Sequence, residues 1–273
     1  MKLDQVQLTN FRNIKSASFS PSSSLSVFRG VNGSGKSSII EALYYLGFGR
    51  SFRTGKPSSV IQHGEEGFSV FASCKDENDV PMKLGFQRSR SDSFLCSING
   101  EHSSKLSKLV SLVPTQLFTP QSTDLIIGSP SERRKFCDWG LFHVEHGFQK
   151  LANQYTKVLK HRNALLKQGA NLQRPENRYW EHIFIENAEA LSKKRVAYVE
   201  SLIPIFERYA NEFLPDFDVV LSYQKGWEKD ASLAESLVKK SEYDVKMGHT
   251  TSGPHKADIR LKVNGVNAQE LLS

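Results

Sequence analysis

Eight consecutive residues, Gly30-Val31-Asn32-Gly33-Ser34-Gly35-Lys36-Ser37, do most to limit what this chain can become. They match G-x-x-x-x-G-K-[ST] at every fixed position. Leu25-Ser26-Val27-Phe28 reads as a short apolar strand leading in, and Ile39, Ile40, Leu43 and Leu46 recur at helical spacing after the run. Strand, glycine-rich turn and helix in that order gather backbone N–H groups and the positive end of a helix around an anionic phosphate. Lys36 is placed to reach β- and γ-phosphates, and the Ser37 hydroxyl to ligate Mg²⁺. The run therefore predicts a Mg-nucleotide site on an α/β framework.

With 273 residues the chain is long enough for two lobes. No stretch approaches the ~18 apolar residues of a membrane helix, so no membrane partner is expected. The start, Met1-Lys2-Leu3-Asp4, has no long apolar leader segment. Cys74, Cys96 and Cys137 are odd in number and far apart, which suits a reducing, cytoplasmic setting better than a disulfide framework. His143-Val144-Glu145-His146 departs from H-E-x-x-H and has no evident third ligand for zinc.

The net charge of +7 favours polyanionic partners. No acidic residue lies between His146 and Pro175, a stretch that holds Lys150, Lys157, Lys160, Arg162 and Lys167. None lies between Ala42 and Gly64, where Arg50, Arg53 and Lys56 occur. These eight cations are the candidate DNA-binding residues, because clustered positive charge is what a phosphate backbone requires. On the α-helical stripe Phe148, Leu151, Ala152, Tyr155, Val158, Leu159 and Leu166, the lysines and Arg162 are expected mostly on the outer face.

Leu3, Val6 and Leu8 predict a first strand and Ile14 to Phe19 a second. Gly47 and Gly49 should end the helix after the glycine run. Alternating residues between Gly67 and Gly100 predict antiparallel strands closed by an Asn99-Gly100 turn, and Leu112 to Thr119 a further strand. Ser129-Pro130-Ser131-Glu132 predicts a capped helix start with Pro at its first position. Helices should then dominate to Phe213, with Pro204 kinking the last run or starting a new helix. Strands return at Phe217 to Leu221 and Ile259 to Val263. The expected layout is an ATP-binding lobe (1–128), a helical lobe (129–214) and a return to the first lobe (215–273).

Three further blocks narrow the class: Asn10-Phe11-Arg12-Asn13, Gly128-Ser129-Pro130-Ser131-Glu132-Arg133-Arg134-Lys135-Phe136, and Gly253-Pro254-His255-Lys256-Ala257-Asp258. With the glycine run, in this order and spacing, they resemble the RecF family of bacterial DNA replication and repair proteins, within the SMC-like group of ABC-type ATPases. The resemblance spans essentially the whole chain. It implies an α/β fold: a P-loop ABC-type ATPase head with a mixed β-sheet lobe and a helical insertion lobe. It also implies an ATP-driven homodimer that binds DNA at single-strand gaps and acts with RecR and RecO to load recombinase after DNA damage, in the SOS response. Carried onto this sequence, the nucleotide contacts are Gly30, Val31, Asn32, Gly33, Ser34, Gly35, Lys36, Ser37 and Ser38. Arg12 resembles an arginine that approaches the phosphates. Gln116 or Gln121 is the candidate Mg²⁺-contacting glutamine.

In the family, the signature motif begins at a Leu-Ser like Leu272-Ser273, and an apolar strand ending in Asp-Glu follows it. Neither Leu125-Ile126-Ile127 nor Val219-Val220-Leu221 is followed by an acid. These residues alone are therefore expected to bind ATP but to hydrolyse it at a rate near background. A non-catalytic ATP-gated DNA-binding scaffold and a small-molecule P-loop kinase are the alternatives.

Overall fold

The alternation at the start of the chain becomes packing in the computed structural model, which describes residues 1–170, 172 and 174–272. Strand β1 (Lys2–Phe11) turns Val6, Leu8 and Phe11 into the core, each almost wholly buried. Strand β2 (Ile14–Phe19) pairs with it through a tight turn at Arg12 and Asn13. Helix α1 (Lys36–Phe48) follows the glycine run. Then come β3 (Gly67–Lys75), β4 (Pro81–Ser89), β5 (Phe94–Ile98), β6 (Glu101–Ser103) and α2 (Leu106–Leu112). The six strands form one sheet in the order β2-β1-β3-β4-β5-β6, antiparallel at every pairing. Ala42, Tyr45 and Leu46 of α1 join its core with Phe68, Val70, Leu84 and Phe86. Phe11, Tyr45 and Phe68 meet edge to face at 5.0–5.7 Å.

These elements make up residues 1–117, one of two compact units; the other is 118–273. The second unit contains α3 (Asp124–Ile127), α4 (Pro130–Val144), α5 (Phe148–Lys167), α6 (Pro175–Phe213), β7 (Val219–Gln224), α7 (Leu233–Lys239), α8 (Ser241–Met247), β8 (Asp258–Val263), β9 (Val266–Asn267) and α9 (Ala268–Leu272). Its core joins Cys137 and Leu141 of α4, Phe148 and Tyr155 of α5, Phe184 and Leu191 of α6, Leu233 and Leu237 of α7, and Ile259 of β8. Among the described residues no helix is long and apolar enough to cross a membrane.

Several local expectations are corrected. Residues 25–28 form no strand, and Leu25 and Val27 are 74% and 63% exposed. A strand needs a hydrogen-bonded neighbour, and none pairs with this segment among the described residues, so the lobe's sheet is antiparallel rather than mixed. Ile40 faces outward, because the buried stripe of α1 runs through Ser38, Glu41, Ala42, Tyr45 and Leu46. Gly49 ends α1 in the left-handed conformation (φ 64°), its N–H on the Tyr45 carbonyl. Gly47 lies inside the helix, where a Cβ would collide with Thr115 and the Val113 carbonyl.

The stretch from Leu112 to Thr119 is the end of α2 followed by irregular chain, since Pro114 has no N–H to give a ladder. Pro130 does open α4, but Ser129 makes no capping bond from its side chain and Glu132 pairs with Lys135 instead. Helix α6 passes through Pro204 as one element, and β7 starts two residues later than Phe217. Segment 215–273 lies in the second unit. Its three strands form a separate sheet, β7-β8-β9, whose Leu221, Tyr223 and Ile259 belong to the core with α4, α5 and α6.

Candidate nucleotide site

The glycine run closes on itself around its lysine. Lys36 Nζ donates to the carbonyls of Gly30 (2.7 Å) and Val31 (2.8 Å). Gly33 and Gly35 have φ of 82° and 98°, a conformation that side chains rarely adopt. A Cβ on Gly33 would point into open space. The turn between β1 and β2 braces the loop. Asn13 Nδ2 donates to the Gly33 carbonyl (2.7 Å), and Ser38 Oγ donates to Asn13 Oδ1 (2.9 Å).

A cavity of about 910 Å³ opens here. Arg12, Asn13, Asn32, Gly33, Gly35, Lys36, Ser37, Ser38 and Arg53 line it, with Ser59, Ile61, Gln62 and His63. The fit to a polyphosphate is chemical: Lys36 and two arginines supply positive charge, Ser37 a free-standing hydroxyl, and the start of α1 its N–H groups. Gln62 Oε1 is buried without a hydrogen-bond partner, an acceptor left for a donor on whatever fills the cavity.

Arg12 stands on this wall at φ 56°, a left-handed backbone costing about 1 kcal/mol or more in a non-glycine residue. Its N–H bonds the Val60 carbonyl at 2.7 Å. Its guanidinium grips Glu41 with Nε (2.8 Å) and Nη2 (2.6 Å) and gives Nη1 to the Ser59 carbonyl (3.2 Å). Gln116 is exposed in the irregular stretch after α2 and does not line the cavity, and Gln121 is exposed in a short turn of the second unit. Asn13, Gln62, His63 and Glu41 were missed by sequence reasoning. Only Asn13 carried a signal, as the residue closing the Asn10-Phe11-Arg12-Asn13 block.

Of the candidate DNA-binding cations, Arg50, Arg53 and Lys56 are exposed. Arg50 and Arg53 also border a second cavity of about 620 Å³ beside Tyr44 and Phe52. Lys150, Lys157, Lys160 and Lys167 are exposed on the face of α5 opposite its buried stripe. Arg162 is a correction: it is buried. It pairs with Glu181 (3.0 Å) and Asp244 (2.9 Å), donates to Thr250 Oγ1 (2.7 Å), and lies over the Phe184 ring. Its position gave the signal, four residues after Val158 and four before Leu166 on the inward stripe.

The third sequence block is held by arginines of α4 and α6. Arg195 pairs with Asp138 (2.7 Å) and donates to the Pro254 carbonyl (2.7 Å). Arg133 pairs with Asp258 (2.8 Å), and Arg134 donates to the Ala257 carbonyl (2.7 Å). His255 lies between the Tyr155 hydroxyl (2.7 Å) and the Thr250 carbonyl (2.9 Å). Burial lowers its pKa to about 4, so the ring is neutral at pH 7.

A P-loop at the start of a helix, an antiparallel sheet beside it and a separate helical unit define the head of an ABC-type ATPase of the SMC-like group. The fold agrees with a solved structure described as the recombination mediator protein RecF-ATP in the RecFOR pathway: TM-score 0.86 at 24% identity, over 98% of this chain and 75% of that one. An Smc head domain from Pyrococcus furiosus agrees less closely, with TM-score 0.54 at 16% identity, over 97% of this chain and 72% of that one. The RecF/RecN/SMC N terminal domain matches residues 2–261. The chain is 48% identical over 274 residues to the DNA replication and repair protein RecF of Pseudoalteromonas atlantica, spanning 100% of this chain and 75% of that protein. It is 37% identical to RecF of Vibrio atlanticus, over 100% of this chain and 76% of that protein. The chain belongs to the RecF family of DNA replication and repair proteins.

Proposed function

We propose that this chain is the ATP-binding part of a DNA-binding protein of replication and recombinational repair, one that engages DNA at single-strand gaps and works with RecR and RecO. Lys36, held by two carbonyls of its own loop inside a cationic cavity, is the observation that carries the nucleotide reading. Gly30 to Ser38 would hold the phosphates through N–H groups, Lys36 would neutralise charge, and the Ser37 hydroxyl would take Mg²⁺. Bound Mg-ATP would supply the γ-phosphate on which an ATP-driven homodimer depends. The exposed lysines of α5 in one unit, and Arg50 and Lys56 in the other, each offer DNA salt-dependent, sequence-independent contacts, whereas Arg53 lines the nucleotide cavity. Three buried free cysteines suit a cytoplasmic protein.

The lining of the cavity holds no carboxylate to orient an attacking water. Residues 1–273 alone are expected to bind ATP and to hydrolyse it near background, and the basic outer face of α5, with Lys150, Lys157, Lys160 and Lys167 exposed, favours the gated scaffold over the small-molecule kinase. The test is a thermal-shift titration with Mg-ATP beside Lys36→Ala. Ligand at ~100 times its Kd stabilises by roughly 2.7 kcal/mol, on the order of 5–10 °C. A shift abolished by Lys36→Ala supports the reading; an equal shift in both proteins sinks it, as does turnover that depends on Lys36.

A further inference from the structure

Glu41 is a charged residue with no exposed surface, on the same helix as Lys36. It lies behind the cavity wall and is not part of the lining. Its carboxylate accepts two bonds from Arg12 and one from Ser51 Oγ, and Arg53 Nη1 approaches at 3.5 Å. Ser51 Oγ in turn accepts the N–H groups of Arg53 (2.9 Å) and Thr54 (3.1 Å). One carboxylate thus ties together α1, the turn carrying Arg12 and the loop carrying Arg53.

Burying an ion pair gives little net stability compared with packing apolar side chains of the same volume. An apolar residue at position 41 would fill the space, but it could not hold two guanidinium groups on the wall that also carries Lys36. Arg12 needs holding, because its backbone is in a strained region and a free arginine samples many rotamers. The Nε and Nη2 bonds to Glu41 fix the guanidinium plane, leaving the second hydrogens of Nη1 and Nη2 for a ligand.

We infer that Glu41 is a positioning residue, which sets Arg12 and Arg53 as preorganised cations for the nucleotide phosphates without touching them. This rests on the nucleotide reading above. It makes the pair Glu41–Arg12 a single functional unit in phosphate binding.

The experiment is a double-mutant cycle on this chain, titrated with Mg²⁺ and a fluorescent N-methylanthraniloyl ADP and accompanied by melting curves. Glu41→Gln and Arg12→Ala should each weaken binding about tenfold, and the double variant should bind within about twofold of Arg12→Ala alone. Losses that multiply in the double variant, or binding by a cooperatively melting Glu41→Gln that equals the parent's, overturn the inference. If Glu41→Gln does not fold, exposed Arg53→Ala and Arg12→Ala decide, and unchanged affinity in both overturns it. A parent chain whose binding does not need Lys36 is a distinct result: it sinks the nucleotide reading and this inference with it.

Discussion

Arg162→Ala separates a buried structural cation from a DNA contact. In the structure Arg162 is 3% exposed and joins α5 to α6 through Glu181 and to α8 through Asp244. Asp244 has no exposed surface. It keeps the Thr251 N–H (2.9 Å) and hydroxyl (2.6 Å) after the substitution, but loses the guanidinium paired with it. Glu181, 12% exposed, loses its cation too. Removing one partner of a buried ion pair costs about 3–5 kcal/mol, or roughly 10 °C in melting temperature for a unit of this size. The assay pairs differential scanning fluorimetry with DNA binding by fluorescence anisotropy across a salt series. The expected result is a large loss of melting temperature and, below the new melting point, an unchanged salt slope. A melting temperature within about 2 °C of the parent, together with a slope reduced by about one, would refute the buried-network argument and restore Arg162 as a phosphate contact.

Lys157→Ala with Lys160→Ala should lower the salt slope of DNA binding by about two while leaving the melting temperature nearly unchanged; an unaltered slope removes α5 from the DNA surface. His255 has a folded-state pKa of about 4, below its unfolded value, so its contribution to stability is present above pH 6.5 and is lost as pH falls from 6.5 to about 4. The parent should therefore lose roughly 3 kcal/mol more than His255→Gln across that window, read as melting temperature against pH; parallel curves contradict the assignment. Burial raises the thiol pKa of Cys74 and Cys96 and pushes Cys137 up to about 12, so iodoacetamide at pH 8 should label none of them until urea unfolds the chain. Rapid labelling of the native protein would show that these sites open.

The P-loop was legible because its chemistry is local. Gly33 and Gly35 sit where positive φ is required, and Lys36 reaches carbonyls only five and six residues behind it. The strands from Gly67 to Gly100 and the buried stripe of α5 were legible for the same reason: a period of two or 3.6 is written in neighbouring residues. Composition also set the sign of the surface, and the lysines of α5 do face outward.

Tertiary structure alone decided the rest. Whether residues 25–28 make a strand depends on a partner strand that local sequence cannot name. The burial of Arg162 depends on Glu181, 19 residues away, and on Asp244, 82 away. Glu41 reads in sequence as one more polar residue of a helix. Only the fold brings Arg12, Ser51 and Arg53 to its carboxylate. Short-range geometry follows from the backbone and side chain at hand, whereas a strand needs a distant neighbour to bond and a buried charge is tolerable only where distant partners converge on it.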